Sequence, residues 1–205
     1  MQNLSLFVLA TLLLALTPGQ DFIYVMIRSI SQGARAGVIA IAGLMMGVTL
    51  HTLAAATGVA AILLTSAYAF TAIKLIGAAY LIYIGIQAFR QKGRLEIRKT
   101  KDHASDLKLF KEGILSSTLN PKLALFFMAF LPQFVATDAD PFKQMVLLGL
   151  LFALLSLPIL LGVAFLSARF GDLISVNQKV SRYIGKITGV VLVGLGIKLG
   201  LVESN

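Results

Sequence analysis

The 205-residue chain contains no cysteine, only two histidines and few charged residues. Without cysteine, disulfides, thiolate metal sites and thiol catalysis are excluded. Charged residues make up 13% of the chain and hydrophobic residues 58%, with a mean hydropathy of +0.88. A soluble domain carries roughly 25% charged residues. The sequence also shows no serine-nucleophile motif, aspartate pair or histidine cluster, so we expect neither an enzyme nor a metal or cofactor site.

What remains is apolar sequence in six runs, at about 4–27, 37–63, 68–89, 113–135, 145–168 and 184–202. A helix needs roughly 20 apolar residues to cross a bilayer, and most of the runs reach that length. We therefore predict an all-α membrane protein with six transmembrane helices in a single integral membrane domain.

The positive charges are confined to alternate loops of this arrangement. Segments 28–35, 90–112 and 169–186 carry net charges of +2, +4 and +3, which account for the whole net charge of +9. Lysine and arginine stay on the cytoplasmic side of a membrane, so both termini are predicted to lie outside. Acidic residues interleave with the basic ones and apolar runs flank them, which argues against a nucleic-acid surface.

Two proline-containing sequences interrupt the first and fourth apolar runs. They are Leu16-Thr17-Pro18-Gly19 and Leu119-Asn120-Pro121-Lys122. In each, a good N-cap residue (Thr17 or Asn120) precedes a proline suited to the first helical position. Paired interruptions at corresponding positions of two halves indicate the binding site of a transporter.

The long polar stretch at about 90–112 separates the first three predicted spans from the last three. The halves, about 1–89 and 113–205, each contain an odd number of spans, so the second must enter the membrane from the opposite face. We therefore predict two inverted three-helix repeats, with broken helices one and four.

Three ionisable residues, Asp21, His51 and Lys122, lie at membrane depth, where a charge is costly. Thr17 and Gln20 have the spacing of a capping box, so Asp21 either stabilises the restarted helix through its dipole or binds a substrate ammonium or a proton. His51 is either a core histidine bonded to a backbone carbonyl or a proton site. Lys122 pairs with Asp21 or with a substrate carboxylate.

The chain resembles the LysE/RhtB superfamily of bacterial amino-acid exporters over essentially its whole length. Gln20 departs from the family pattern, which often has a second proline there. The residues that carry the resemblance are Leu16-Thr17-Pro18-Gly19-Gln20-Asp21, Gly43-x-x-x-Gly47-x-x-x-His51, Lys74-x-x-Gly77-Ala78-x-Tyr80-Leu81-x-x-x-Gly85, Phe110-x-x-Gly113, Leu119-Asn120-Pro121-Lys122, Phe126-Phe127 and Leu131-Pro132-Gln133-Phe134.

The resemblance implies a bacterial inner-membrane exporter of amino acids or related metabolites, driven by the proton gradient. In our hypothesis two half-helix N-termini face a central cavity, Asp21 and His51 serve proton coupling, and the two halves alternate in access. The few charged groups favour a neutral or aliphatic amino acid, and the small membrane body suggests a homodimer. The predicted substrate-binding residues are Thr17, Pro18, Gly19, Asp21, Asn120, Pro121 and Lys122.

The sequence is also compatible with other functional classes. A cation or metal-ion exporter of similar architecture is the nearest alternative, although one aspartate and one histidine make a poor ligand set. A structural or partner-binding membrane protein would not need paired broken helices.

Overall fold

The structure is a computed structural model that describes residues 4–59, 67–90, 103–136 and 139–170, and parts of the segment 183–197 (183, 186–187, 189–194 and 196–197). Within these residues all regular structure is helical. Seven α-helices have both ends within the described residues, and further helical residues lie within 183–197. The seven are α1 (Leu4–Leu16), α2 (Gln20–Gln32), α3 (Ala34–Ala54), α4 (Ala67–Arg90), α5 (Asp106–Thr118), α6 (Pro121–Leu125) and α7 (Pro141–Phe170). Helix α3 continues as a π-helical segment, Ala55–Val59, and α6 continues as π-helical Phe126–Phe130 and 3-10 Leu131–Phe134.

In the part of the chain that the structure describes, two helices are long and apolar enough to cross a membrane, namely Ala34–Gly58 and Pro141–Phe170. Two further pairs qualify if each is counted as one bent span, α1 with α2 at 46° and α5 with the helix Pro121–Phe134 at 48°. The predicted breaks in spans one and four are therefore confirmed as bends. Helix α4 covers the predicted third span, and the sixth lies partly outside the described residues, so the count of six stays a prediction.

Two of the predicted polar segments are more helical than expected. Arg28 belongs to α2, and only Gly33, with a φ of 84°, separates α2 from α3. The positive φ is a conformation that glycine adopts at little cost. Helix α5 begins at Asp106 inside the predicted loop 90–112, where the side chain of Ser105 accepts a hydrogen bond from the backbone N–H of Lys108.

Helices α3 and α5 pack closely because small residues face each other along both. A Cβ atom on Gly43 would lie 2.2 Å from the carbonyl oxygen of Phe110 and 3.0 Å from Cα of Gly113. A Cβ atom on Gly47 would lie 2.4 Å from Cβ of Ser117. The pairs Gly43 with Gly113 and Gly47 with Ser117 are both four residues apart, so the two helices run parallel. Small residues at this spacing allow the close approach that dispersion contacts between membrane helices require.

The buried apolar residues form two clusters. One surrounds α1 and the segment after the second break, and the other lies among α2, α3 and α7. The first contains six phenylalanines, whose rings pack at centroid distances from 4.9 to 6.2 Å. The clusters comprise, among others, Phe7, Phe126, Phe127, Phe130, Phe134 and Phe152 in the first and Val25, Ile41, Leu44, Leu160 and Ala164 in the second.

The α3–α5 contact predicts that Gly43→Ala destabilises the protein by about 1–3 kcal/mol, because the new methyl group meets backbone atoms that cannot yield. The measurement is the temperature at which half of the detergent-solubilised protein is lost from its size-exclusion peak. Gly162→Ala in α7 is the matched control, since a Cβ atom there meets nothing within 4 Å. Equal melting temperatures for Gly43→Ala and Gly162→Ala would contradict this packing.

Candidate functional site

The two broken spans lie side by side with their breaks at the same level. Contacts between them pair increasing residue numbers in span one with decreasing numbers in span four, so the spans are antiparallel. This is the relative direction that an inverted repeat requires. The contacts that establish it are Leu14 with Lys122, Asp21 with Ser116 and Tyr24 with Leu109.

At the first break the helix restarts later than predicted. Helix α2 begins at Gln20 with Gly19 as its N-cap, so Pro18 is not the first helical residue, and the N-cap position predicted for Thr17 is wrong. The reason is that Thr17 still completes the last turn of α1. Both its backbone N–H and its hydroxyl donate to the carbonyl of Leu13, at 3.0 and 2.6 Å. The N–H of Thr17 already bonds to the carbonyl of Leu13, and the side-chain amide of Gln20 donates to the carbonyl of Ser116. These two residues therefore do not form the predicted capping box.

The second break has the predicted form. Asn120 is the N-cap of α6, and its side-chain oxygen accepts a hydrogen bond of 3.0 Å from the backbone N–H of Lys122. Pro121 occupies the first helical position, where a missing N–H costs nothing. The prediction for this segment is confirmed in detail.

Lys122 crosses from the second break to the first. Its ammonium nitrogen donates to the carbonyl oxygens of Leu14 and Thr17, at 3.2 and 3.4 Å. These carbonyls lie at the C-terminal end of α1, where the helix dipole favours a cation. A Cβ atom on Gly19 would lie 2.9 Å from the same nitrogen. Glycine at position 19 therefore leaves the space that the lysine head group occupies.

Two carbonyls at the end of α5 receive donors from other helices, although that of Ser117 also accepts a hydrogen bond of 3.1 Å from the backbone N–H of Asn120. The ring nitrogen Nε2 of His51 lies 3.0 Å from the carbonyl oxygen of Ser117 and must carry the proton there, since the oxygen can only accept. The Gln20 amide donates to the carbonyl of Ser116 over 3.2 Å. The His51 ring is buried and stacks on Phe127, with centroids 5.9 Å apart. Of the two interpretations of His51, this geometry supports the core histidine.

Asp21 lies in the first turn of α2, as predicted, and its carboxylate accepts a hydrogen bond of 3.2 Å from the Ser116 hydroxyl. Asn120 is a further hydrogen-bonding group beside it, and Lys122 and His51 act on it electrostatically. Residues of three separate helices and of both breaks therefore surround one carboxylate. Ser116 was missed by sequence reasoning, because a serine 95 positions away gives no local signal.

A small cavity of about 40 Å³ lies beside these groups. Its wall includes members of both apolar clusters, so the polar site lies between them. A volume of this size holds about one or two water molecules, whereas pockets for small ligands usually measure about 300–1,000 Å³. The site is therefore closed around its own side chains. Its lining includes Thr17, Asp21, Lys122, Phe152, Ser156 and Leu160.

Unused hydrogen-bonding capacity is concentrated at the second break. Among the described residues, four buried side-chain polar atoms have no hydrogen-bond partner, and three of them belong to Ser117, Thr118 and Asn120. None of these three residues lines the cavity. Ser117 packs against Gly47 of α3, and the Asn120 side chain is close enough to Asp21 to act on its carboxylate, so these atoms belong to the packing around the second break.

Of the predicted substrate-binding residues, Thr17, Asp21 and Lys122 line the cavity. Asn120 caps α6 beside them, Gly19 contacts Lys122, and Pro18 and Pro121 form the breaks without a side-chain contact to the cavity. Sequence reasoning also missed Ser156 and Leu160 of α7, although Pro158 between them was a visible signal of an irregular helix. Within the described part of the chain, no three histidine or acidic residues lie close enough to hold a metal ion.

Known proteins resemble this chain over nearly its whole length. The family described as LysE type translocator matches residues 12–203. A homoserine/homoserine lactone efflux protein of Salmonella typhimurium is 32% identical over 193 residues, which cover 94% of this chain and 93% of that protein. Uncharacterized membrane proteins of Bacillus subtilis and Vibrio cholerae are 32% and 30% identical, over 98% and 97% of this chain and 100% and 96% of their own lengths. No solved structure matches.

The contacts of Lys122 predict that Lys122→Met lowers the stability of the folded protein by about 1–3 kcal/mol, because the carbonyls of Leu14 and Thr17 lose a buried donor. Thermal unfolding in detergent measures the change. Lys143→Met is the matched control, since Lys143 is 79% exposed and pairs only loosely with Asp140 at 3.8 Å. A Lys122→Met protein as stable as the Lys143→Met protein would show that the ammonium group does not hold the breaks together.

Proposed function

The chain belongs to the family of LysE type translocators, and from that premise we propose that it is a secondary active transporter that exports a small neutral amino acid, or a related metabolite, from the cytoplasm. The observation that carries the proposal is the meeting of two helix breaks around one carboxylate and one ammonium group. Helix breaks at membrane depth occur where backbone lines a substrate or ion site rather than lipid.

The substrate carboxylate is proposed to bind at the start of α2. The backbone N–H groups of the first helical turn have no partner within their own helix, and the dipole adds partial positive charge there. Lys122 supplies a full positive charge at the same place, since its nitrogen lies against Gly19. In the closed site Lys122 is bonded to the carbonyls of Leu14 and Thr17. Binding of a carboxylate would draw it away from them.

Asp21 is proposed to take the ammonium group of the substrate or the counter-transported proton. It is the acidic side chain that lines the cavity, and Ser116 already presents a hydroxyl to it. A membrane potential of 100 mV is worth about 2.3 kcal/mol for each charge moved. One proton entering per molecule exported would therefore sustain a concentration ratio of roughly fiftyfold.

The proposed substrate class follows from the charge balance of the site. One cationic and one anionic group lie beside mainly apolar walls, which suits a zwitterion with an uncharged side chain. The similarity to a homoserine/homoserine lactone efflux protein supports a substrate of that size.

Asp21→Asn is expected to abolish substrate efflux driven by a pH gradient in proteoliposomes, because the amide can neither bind and release a proton nor pair with an ammonium group as an anion. Asp140→Asn is the matched control, since Asp140 lies in the loop before α7 and caps that helix, a role that asparagine also performs. Exchange of substrate at equal pH separates the two roles, because it survives the loss of a proton carrier but not of the ammonium site. Undiminished gradient-driven efflux would leave Asp21 as a helix-capping residue only.

Cells that express the chain and are loaded with dipeptides are expected to release neutral amino acids faster than cells without it, and basic amino acids at the same rate as those cells. The physical reason is that a second positive charge would lie beside Lys122 without a partner. Mass spectrometry of the medium measures both. Preferential release of lysine or arginine, or of a metal ion, would exclude the neutral class.

A further inference from the structure

A second group of polar contacts joins α2 to α5, away from the break. Arg28 donates to the Oε2 atom of Glu112 over 2.5 Å. The Tyr24 hydroxyl donates to the carbonyl of Leu109 over 2.8 Å and lies 3.3 Å from the same Oε2 atom. The Arg28 guanidinium also lies over the Tyr24 ring, 5.6 Å from its centroid. We refer to Tyr24, Arg28 and Glu112 as the triad.

The triad lies between the polar site and the segments that carry the positive charge. Tyr24 and Arg28 follow Asp21 by three and seven residues, which is about 5 and 10 Å along the helix axis. Glu112 precedes Ser116 by four residues, about 6 Å. Both helices therefore place the triad one to two turns from the contact between Asp21 and Ser116, on the side where α2 ends and α5 begins.

A groove of about 450 Å³ lies beside the triad. Tyr24 and Glu112 line it together with Gln20, Ser116 and Leu119. Gln20 and Ser116 also face the first break, through the hydrogen bonds that Ser116 makes with Gln20 and Asp21. Leu115 and Leu119, which also line the groove, are 58% and 65% exposed. At membrane depth this open apolar groove faces lipid, so the route to Asp21 lies between α2 and α5, where the triad joins them.

We propose that the triad is the cytoplasmic gate of the transporter, an inference that rests on the proposed function. Helices α2 and α5 are the halves of the two broken spans that lead to the basic side. A solute from that side reaches Asp21 only if these halves separate, and the triad contacts must break when they do.

The charges of the triad give the gate a selectivity of its own. Glu112 is held by Arg28, and the two side chains are 33% and 14% exposed. A solute that carries an ammonium group competes with the Arg28 guanidinium for the Glu112 carboxylate, so its arrival weakens the contact that keeps the gate closed. A solute without a positive charge cannot do this. A further ion pair joins Arg35 of α3 to Asp106 of α5. The two side chains are 83% and 59% exposed, so this pair is expected to contribute little to holding the helices together.

The absence of cysteine allows a direct test. Ser156→Cys places a thiol at a position that is 3% exposed and lines the central cavity. A charged, membrane-impermeant thiol reagent is added to inside-out vesicles, which present the cytoplasmic face, and to right-side-out vesicles. The labelling rate is compared for Ser156→Cys alone, with Glu112→Gln, and with Asp106→Asn, which removes the exposed ion pair instead.

Glu112→Gln is expected to raise labelling from the cytoplasmic face by about tenfold, corresponding to about 1.4 kcal/mol of lost gate contact, and to lower it from the opposite face. Asp106→Asn should leave both rates unchanged. The charge-exchanged double variant Arg28→Glu with Glu112→Arg should return labelling to the starting rate, which a merely misfolded protein would not do. An unchanged rate in Glu112→Gln, an equal rise from both faces, or an equal rise in Asp106→Asn would overturn the gate.

The labelling assay involves no transported solute, so its outcome is independent of the proposed substrate. If the labelling rates show no gate while neutral amino acids are still exported, this inference alone is refuted. A working gate in a protein that exports no amino acid would refute the proposed function and leave the gate in place. Addition of homoserine during labelling then tests the competition at Glu112. Faster cytoplasmic labelling is expected with homoserine and not with its N-acetylated form, which lacks the ammonium charge, and equal effects of the two would contradict the competition.

Discussion

The structure depends on how backbone carbonyl groups are satisfied where two helices stop inside apolar surroundings. Each unsatisfied group at that depth costs several kcal/mol. Here several donors come from outside the helix that is broken. Lys122 of the second break bonds the last carbonyls of α1, and Gln20 of the first break bonds the Ser116 carbonyl of α5. His51 of α3 bonds the Ser117 carbonyl, which also accepts from the N–H of Asn120. Lys122 and Gln20 thus link each break to the other.

This mutual dependence concentrates charge at one level of the molecule. The cation that closes α1 lies beside the anion that opens α2, because the breaks of antiparallel spans are in register. In the proposed transporter, Asp21 and Lys122 would serve both the fold and the substrate. A substrate with a carboxylate and an ammonium group would replace partners that these two side chains already have. Such an exchange of partners would allow a closed cavity of about 40 Å³ to open without leaving a charge unpaired.

Much of this could be predicted from local sequence, and the part that could not is long-range. The proline breaks, the N-cap role of Asn120 and the small residues of α3 follow from neighbours within four positions. The restart of α2 was misplaced, because Thr17 can bond backwards to Leu13 as well as forwards, and local sequence does not decide between them. The hydrogen bond between Ser116 and Asp21 and the triad of Tyr24, Arg28 and Glu112 join residues more than 80 positions apart, and no spacing rule reaches that far.

The α2–α5 interface unites the two proposals, since it contains the contact at Asp21 and the triad beyond it. On its other side α5 is fixed to α3 by Gly43 and Gly113, where backbones touch. Opening toward the basic side is therefore expected to separate α2 from α5 rather than α5 from α3. The polar contacts between α2 and α5 can break and re-form against a solute, whereas the glycine contacts between α3 and α5 have no such alternative.

The meeting of the two breaks is tested most directly by cross-linking in this cysteine-free chain. Cysteines at positions 21 and 116, in a protein with a protease site inserted within 91–102, should be joined by a short bifunctional thiol reagent, so that the two fragments stay together on a denaturing gel at the mass of one chain. Cysteines at positions 21 and 115 form the control, because Leu115 is 58% exposed. The account predicts rapid linkage of 21 to 116 and little linkage of 21 to 115. Failure of 21 and 116 to join, or equal linkage of both pairs, would contradict it.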